Sequence, residues 1–166
     1  MKKRPILIVI AAALVFTAKA FAYDSQLIYV LEQLRHCTYD DNTPMVGGSA
    51  IGFAGRPHEF YLLFPYVDRL ASEDDLKAML RDKSAVVRLM AVKCILGKKY
   101  RVGDLKKAVD VLEKDTTKVF VAPAGCDVTQ DTVAGVLKEF RKNPDFLGDA
   151  KVSEPAPAGG RGAGQP

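Results

Sequence analysis

The chain has 166 residues and a formal net charge of +4, from 24 basic and 20 acidic side chains. This length allows about one small domain. Four of the basic residues, Lys2, Lys3, Arg4 and Lys19, lie in the first 22 residues, so the remainder has no net charge. A neutral remainder gives no support to nucleic-acid binding, and nucleic acid is not an expected partner.

The first 22 residues have the pattern of a secretion signal peptide. Basic residues at 2–4 precede an apolar run from Ile6 to Phe16, and Ala20-Phe21-Ala22 supplies the small residues of a cleavage site. The apolar run is shorter than the about 20 residues that a membrane-spanning helix needs. We therefore expect cleavage after Ala22, a periplasmic or secreted protein, and no stable membrane span; an uncleaved anchor is the alternative.

The other end of the chain lacks the composition of a folded segment. Residues 150–166 are rich in Ala, Pro and Gly and contain one large apolar side chain, Val152. Such a segment cannot bury enough apolar surface to offset the entropy lost on ordering. We expect a disordered tail at 150–166 and a folded domain at 23–149.

Apolar residues recur at helical spacing through most of this domain. The pattern predicts helices at 25–36, 58–71, 72–97 (two helices joined by a turn at 82–84), 104–113 and 127–141. Capping boxes are expected at Ser72 with Asp75 and at Asp127 with Gln130. Segments 38–56 and 116–126 break the periodicity and are predicted to be irregular loops, the second partly extended.

The two helices of 75–97 carry a more specific pattern. It consists of Leu76 and Leu80 on the inner face, Asp82 in the turn, Val87-Arg88 early in the second helix, then Ala91 and Leu96-Gly97. Asp82 can accept from backbone N–H groups of the turn, and the planar Arg88 fork can reach carbonyls or a carboxylate of a neighbouring turn.

This pattern resembles one repeat of the HEAT family. The resemblance implies that Asp82, Val87, Arg88 and Ala91 support the stacking of helices. It also implies an all-α fold, a short HEAT-like right-handed helical stack of about five to six helices with two irregular loops.

Three cysteines follow the signal peptide. Cys94 lies on the apolar face of a predicted helix, which favours a buried thiol. Cys37 and Cys126 lie in predicted loops, so we expect these two to form a disulfide in an oxidising compartment. Closing so long a loop would stabilise the fold by roughly 4 kcal/mol on the chain-entropy account.

The sequence contains no motif typical of a catalytic or metal site. Its two histidines, His36 and His58, have no CxxC or HxxxH spacing around them. The glycine-rich segment 47–57 lacks the Gly-Lys-Ser/Thr ending of a phosphate-binding loop. The expectation is therefore no catalytic residue, no metal and no cofactor.

Two functions remain open. The first is an exported, non-enzymatic adaptor or inhibitor that binds another protein of the cell envelope, with contact residues Ile51, Phe53, Arg56 and His58. The alternative is a small hydrolase or lyase acting on cell-envelope material. That enzyme would need His58 and Glu59 beside Cys37, or beside a carboxylate of Asp40 or Asp41, in a cleft.

Overall fold

A computed structural model of the chain describes residues 25–40, 42–97 and 103–148. The predicted signal peptide at 1–22 and the predicted tail at 150–166 lie outside these residues. The α-helices are α1 Ser25–Arg35, α2 Glu59–Leu70, α3 Glu73–Met79, α4 Ala85–Gly97, α5 Gly103–Ala108 and α6 Val133–Lys142, and a 3-10 helix, Val109–Lys114, follows α5. The strands are β1 Met45–Gly47, β2 Lys118–Ala122 and β3 Thr129–Thr132. In the described ranges, no helix has both the length and the apolar character needed to cross a bilayer.

The predicted all-α, HEAT-like stack is wrong, because the three strands form a mixed sheet in the order β1-β2-β3. Strand β1 pairs parallel with β2, with Met45 opposite Phe120, and β3 pairs antiparallel with β2, with Thr132 opposite Lys118. The two outer strands are hidden in the sequence for a physical reason. β1 has three residues and ends in glycine, and β3 (TQDT) has no apolar residue, so neither shows the alternation that identifies a strand.

Helix α4 is the centre of the fold and contacts each of the other five α-helices. Every residue from Ala85 to Ile95 except Arg88 is buried, and Val87 and Ala91 have no exposed surface. A helix that is apolar on all sides is stable only when other elements surround it. The apolar pattern of residues 85–95 is therefore that of a helix buried in the core.

The first residues of α3 and α6 show which of the predicted capping boxes form. The predicted box at Ser72 is confirmed: Ser72 Oγ accepts from Asp75 N at 3.2 Å, and Asp75 Oδ2 accepts from Ser72 N at 2.9 Å. The predicted box at Asp127 and Gln130 is wrong, because Gln130 belongs to β3. Helix α6 instead begins at Val133, where Thr132 Oγ1 accepts from Gly135 N at 3.1 Å.

Arg88 joins the turn before α4 to the segment that leads into β2. Its Nη1 donates to the carbonyls of Asp82 (2.7 Å) and Lys83 (3.0 Å), its Nε to Asp115 Oδ2 (2.9 Å) and its Nη2 to Thr117 Oγ1 (3.0 Å). The pKa of Asp115 is lowered: burial raises it, but the hydrogen bonds from Thr117 and the charge of Arg88 outweigh burial. Arg88 therefore fixes the chain at the start of the sheet.

Asp82 holds the same turn from the other side. Its Oδ1 accepts from Ser84 N at 2.8 Å, as the sequence predicts for an acidic residue before a helix, and its Oδ2 accepts from Arg35 Nη2 at 2.7 Å. The pKa of Arg35 is raised, chiefly by this hydrogen bond. The turn thus connects the end of α1 to the start of α4.

We predict that Arg88→Ala lowers the free energy of unfolding by about 3 kcal/mol, because it leaves the mostly buried Asp115 carboxylate without its cation. Arg141→Ala is the matched control. Arg141 pairs with two carboxylates, Asp110 and Glu113, where Arg88 pairs with one, but the Arg141 side chain is 36% exposed against 11% for Arg88. The control should cost at most about 1 kcal/mol. Urea unfolding followed by circular dichroism measures both; equal losses would contradict the assignment.

Candidate functional site

The glycine-rich segment 47–57 leads from β1 to His58 at the start of α2, and hydrogen bonds hold it along its length. Gly48 N donates to Ala122 O at 3.0 Å, and His58 N donates to Gly48 O at 3.0 Å. Gly125 N donates to Ala50 O at 2.8 Å, which ties the segment to the chain beyond β2. The segment is therefore an ordered extension of the β1-β2 pairing.

Residues 51–56 form a tight turn, called here the Phe53 turn. Ile51 and Arg56 exchange backbone hydrogen bonds at 2.8 and 3.1 Å, and Gly55 N donates to Gly52 O at 3.1 Å. Gly52 and Gly55 have φ values of 68° and 59°, a region that favours glycine. The four residues predicted as partner contacts are divided by this geometry: Phe53 and Arg56 are exposed, Ile51 is half-buried, and His58 lies beneath the turn with 6% of its surface exposed.

Below the turn, the structure brings together Cys37, His58 and Glu59. The donor atoms of the three side chains all lie within 4.8 Å of one another. Cys37 follows the end of α1 and the other two residues begin α2, so the packing of these two helices creates the cluster. Of the carboxylates named for the enzyme alternative, Asp40 is engaged by backbone N–H groups of its own turn, and Asp41 lies outside the described residues.

The cluster is electrostatically unfavourable for a thiolate. Burial is the main reason that the pKa of Cys37 rises to about 12, and the negative charge of Glu59 adds to the increase. The Cys37 thiol donates to Gln33 O at 3.7 Å. Burial also lowers the pKa of His58, against the opposing effect of Glu59. At neutral pH the pair is a thiol beside a neutral imidazole.

The position of the imidazole proton follows from the helix cap. Phe60 N donates to His58 Nδ1 at 3.0 Å. A backbone N–H can only donate, so Nδ1 is the acceptor and the neutral ring carries its proton on Nε2. Nε2 lies 3.8 Å from Glu59 Oε2, beyond hydrogen-bond distance. With Nε2 protonated, His58 is not placed to accept a proton from Cys37 through that nitrogen, as an activated cysteine nucleophile requires.

Gly47 permits the close seating of His58 against β1. A Cβ atom at position 47 would lie 2.8 Å from both Cβ and Cγ of His58, closer than such atoms approach in proteins. The imidazole therefore occupies the space that a side chain of β1 would fill. This contact is one that sequence spacing cannot show, and it fixes His58 relative to Cys37.

The predicted Cys37–Cys126 disulfide is not formed. All three cysteines lie among the described residues and none is in a disulfide; Cys37 and Cys94 are buried, and Cys126 is exposed. Cys37 faces the last turn of α1 and the histidine, whereas Cys126 follows Gly125 at the outer end of β2. The burial of Cys94 agrees with its predicted position on an apolar helix face.

We predict that a thiol-alkylating reagent at pH 8 labels Cys126 in the folded protein and labels Cys37 and Cys94 only after unfolding. With its pKa near 12, about one Cys37 in ten thousand is a thiolate at this pH, apart from its burial. Peptide mass spectrometry of timed samples gives the order in which the cysteines are labelled. The control is the Cys126→Ser variant, which should take up almost no label while it stays folded. Labelling of Cys37 as fast as Cys126 would contradict its burial.

Comparison of the chain with protein-family models gives no match, and comparison with curated proteins gives no significant match. The contacts of this chain are therefore the basis for inferring its function.

Proposed function

We propose that the protein is an exported, non-enzymatic adaptor or inhibitor that binds another protein of the cell envelope through the Phe53 turn. One observation carries the proposal: Phe53 is fully exposed at the tip of a turn whose backbone is held by hydrogen bonds on both sides. The fold gains nothing from this side chain, since it packs against no core residue.

The energetics favour a contact role for this residue. Burying a phenylalanine side chain in an interface is worth about 1.5–3 kcal/mol. Single exposed apolar residues are common on protein surfaces. Among the described residues Phe53 is the most exposed large apolar side chain, and its backbone is already ordered, so binding loses less conformational entropy. Arg56, exposed on the same turn, adds a residue type that is enriched where binding energy concentrates.

The enzyme alternative has weaker support. Cys37, His58 and Glu59 do meet, as a hydrolase or lyase would need. However, the raised pKa of Cys37 and the proton on His58 Nε2 disfavour an activated nucleophile. These contacts favour a binding function over a cysteine-dependent reaction.

To test the proposal, a photoactivatable amino acid is placed at position 53 in living cells, and the cross-linked protein is identified by mass spectrometry. Purified Phe53→Ala is expected to bind that protein about 30-fold more weakly, the effect of a central aromatic contact worth about 2 kcal/mol.

Tyr66→Ala is the matched control. Tyr66 is exposed on α2, in a groove of about 600 Å³ between α1 and α2, away from the Phe53 turn. It should bind the identified protein as the unaltered chain does. The absence of any saturable cross-link at position 53, or equal binding by the two variants, would refute the proposal.

Export gives a separate prediction. If the first 22 residues are a cleaved signal, the protein purified from cells begins at Tyr23 and has lost the segment that accounts for its net charge of +4. Amino-terminal sequencing of protein from the envelope fraction checks this. A chain from the envelope that retains Met1 would contradict cleavage and favour the uncleaved anchor, and a chain that stays entirely in the cytoplasm would contradict export.

A further inference from the structure

We infer that Cys37, His58 and Glu59 bind a Zn²⁺ ion beneath the Phe53 turn. The three side chains supply a thiolate sulfur, an imidazole nitrogen and a carboxylate oxygen, the three donor types that zinc takes in proteins. Their donor atoms already lie within 4.8 Å of one another. Donors about 2.0–2.3 Å from a tetrahedral zinc are about 3.3–3.7 Å apart, so movements of about 1 Å complete the site.

The backbone holds two of the donors in place. Cys37 O accepts from Met45 N at 2.9 Å, which ties the cysteine to β1. His58 is held by the hydrogen bond from its N to Gly48 O and by its close packing against Gly47. The donor pair is therefore positioned by β1 and by the strand's continuation into the glycine-rich segment, which leaves little freedom for either side chain to move away.

The third donor provides access to solvent. The Glu59 side chain is 69% exposed, whereas Cys37 and His58 are buried. A carboxylate at the surface can rotate to capture an ion and bring it to the two buried donors. Three protein donors leave the fourth zinc position open for water or another ligand.

The charges of the site match a divalent cation. Zinc-bound thiols are deprotonated, so binding releases the Cys37 proton to solvent. The resulting thiolate and the Glu59 carboxylate together neutralise the ion. Zn²⁺ thus binds where the exposed Glu59 carboxylate already lies beside the buried Cys37 thiol.

Zinc binding is coupled to the first turn of α2. Coordination through Nε2 requires the ring proton to move to Nδ1, and Nδ1 then no longer accepts from Phe60 N. One neutral capping hydrogen bond is exchanged for a bond to the metal. The Phe60 amide therefore reports metal binding at His58 from outside the set of ligands.

The test uses Co²⁺ as a spectroscopic probe of the full chain with its thiols reduced. We expect Co²⁺ to produce the thiolate-to-metal charge-transfer band in the near ultraviolet and the visible bands of tetrahedral cobalt, and Zn²⁺ to abolish both. Glu59→Gln should weaken Co²⁺ binding at least about tenfold, no less than the loss of an outer-sphere partner costs. Cys37→Ser should eliminate the charge-transfer band.

Matched controls use residues of the same type outside the cluster. Cys126→Ser and His36→Gln each remove an exposed side chain that offers the same donor, and both should keep the band. Phe53→Ala should also keep it, so that failure of the zinc site and failure of the protein-binding proposal give different results. Circular dichroism checks that each variant is folded. If Cys37→Ser does not fold, the result for Glu59→Gln decides the test.

The site is overturned if the unaltered chain gives no charge-transfer band with Co²⁺, if the band survives in Cys37→Ser, or if Glu59→Gln binds Co²⁺ as tightly as the unaltered chain. Nuclear magnetic resonance adds an independent measurement. Zn²⁺ should shift the amide signal of Phe60 by removing its hydrogen bond to His58, and tight binding without that shift would exclude His58 as a ligand and overturn the site.

Discussion

The parallel pairing of β1 with β2 is the constraint on which both features of the candidate site depend. Three residues, Met45–Gly47, lie opposite Phe120–Ala122, from a distant part of the chain. The hydrogen bonds continue beyond the strands, from Gly48 to Ala122 and from Gly125 to Ala50, and they fix the Phe53 turn. The same strand seats His58 against Gly47. A loss of this pairing would release the turn and the buried cluster together.

The helical core reaches this sheet through Arg88. The arginine lies on the one half-buried position of the first three turns of α4, and its donors bind both the turn before the helix and the segment 115–117 before β2. Because β2 is the central strand, its position determines where β1 can pair. The residues that resemble a repeat joint thus connect a buried helix to a sheet in this protein.

The helices were predictable from sequence to the extent that apolar spacing and a single cap determine them. α1, α2 and α3 begin and end close to their predicted bounds, and α4 is marked by a sequence that is apolar except at Arg88 and Lys93. At β3 two local signals compete: Asp127 and Gln130 have capping-box spacing, but Thr132 caps the helix and residues 129–132 pair with β2. Only the presence of β2 decides between them, and no local pattern carries that information.

The candidate site shows the same division between local and long-range information. The sequence marked the Phe53 turn through its glycines and its exposed-looking apolar residues, because positive φ values and tight turns need particular residue types. The hydrogen bonds that order the turn have no local sequence signal, because the partners of Ala50 and Gly52 lie beyond β2. Cys37 and His58 meet through the packing of α1 against α2 and the contacts of both residues with β1 and Gly48, so a search for metal-ligand spacing passes over them.

The turn and the cluster share a short piece of backbone, and this proximity has a thermodynamic consequence. Arg56, at the base of the turn, is separated from His58 by Pro57 alone, whose ring fixes φ and leaves little freedom to absorb a change on either side. A metal that draws His58 toward Cys37 therefore also restrains the base of the turn. Linkage is reciprocal: if Zn²⁺ alters the affinity of the turn for a partner protein, that partner alters the affinity for Zn²⁺ by the same factor. If the Phe53 turn is the proposed binding surface and His58 the proposed zinc ligand, metal supply would regulate the affinity of that surface.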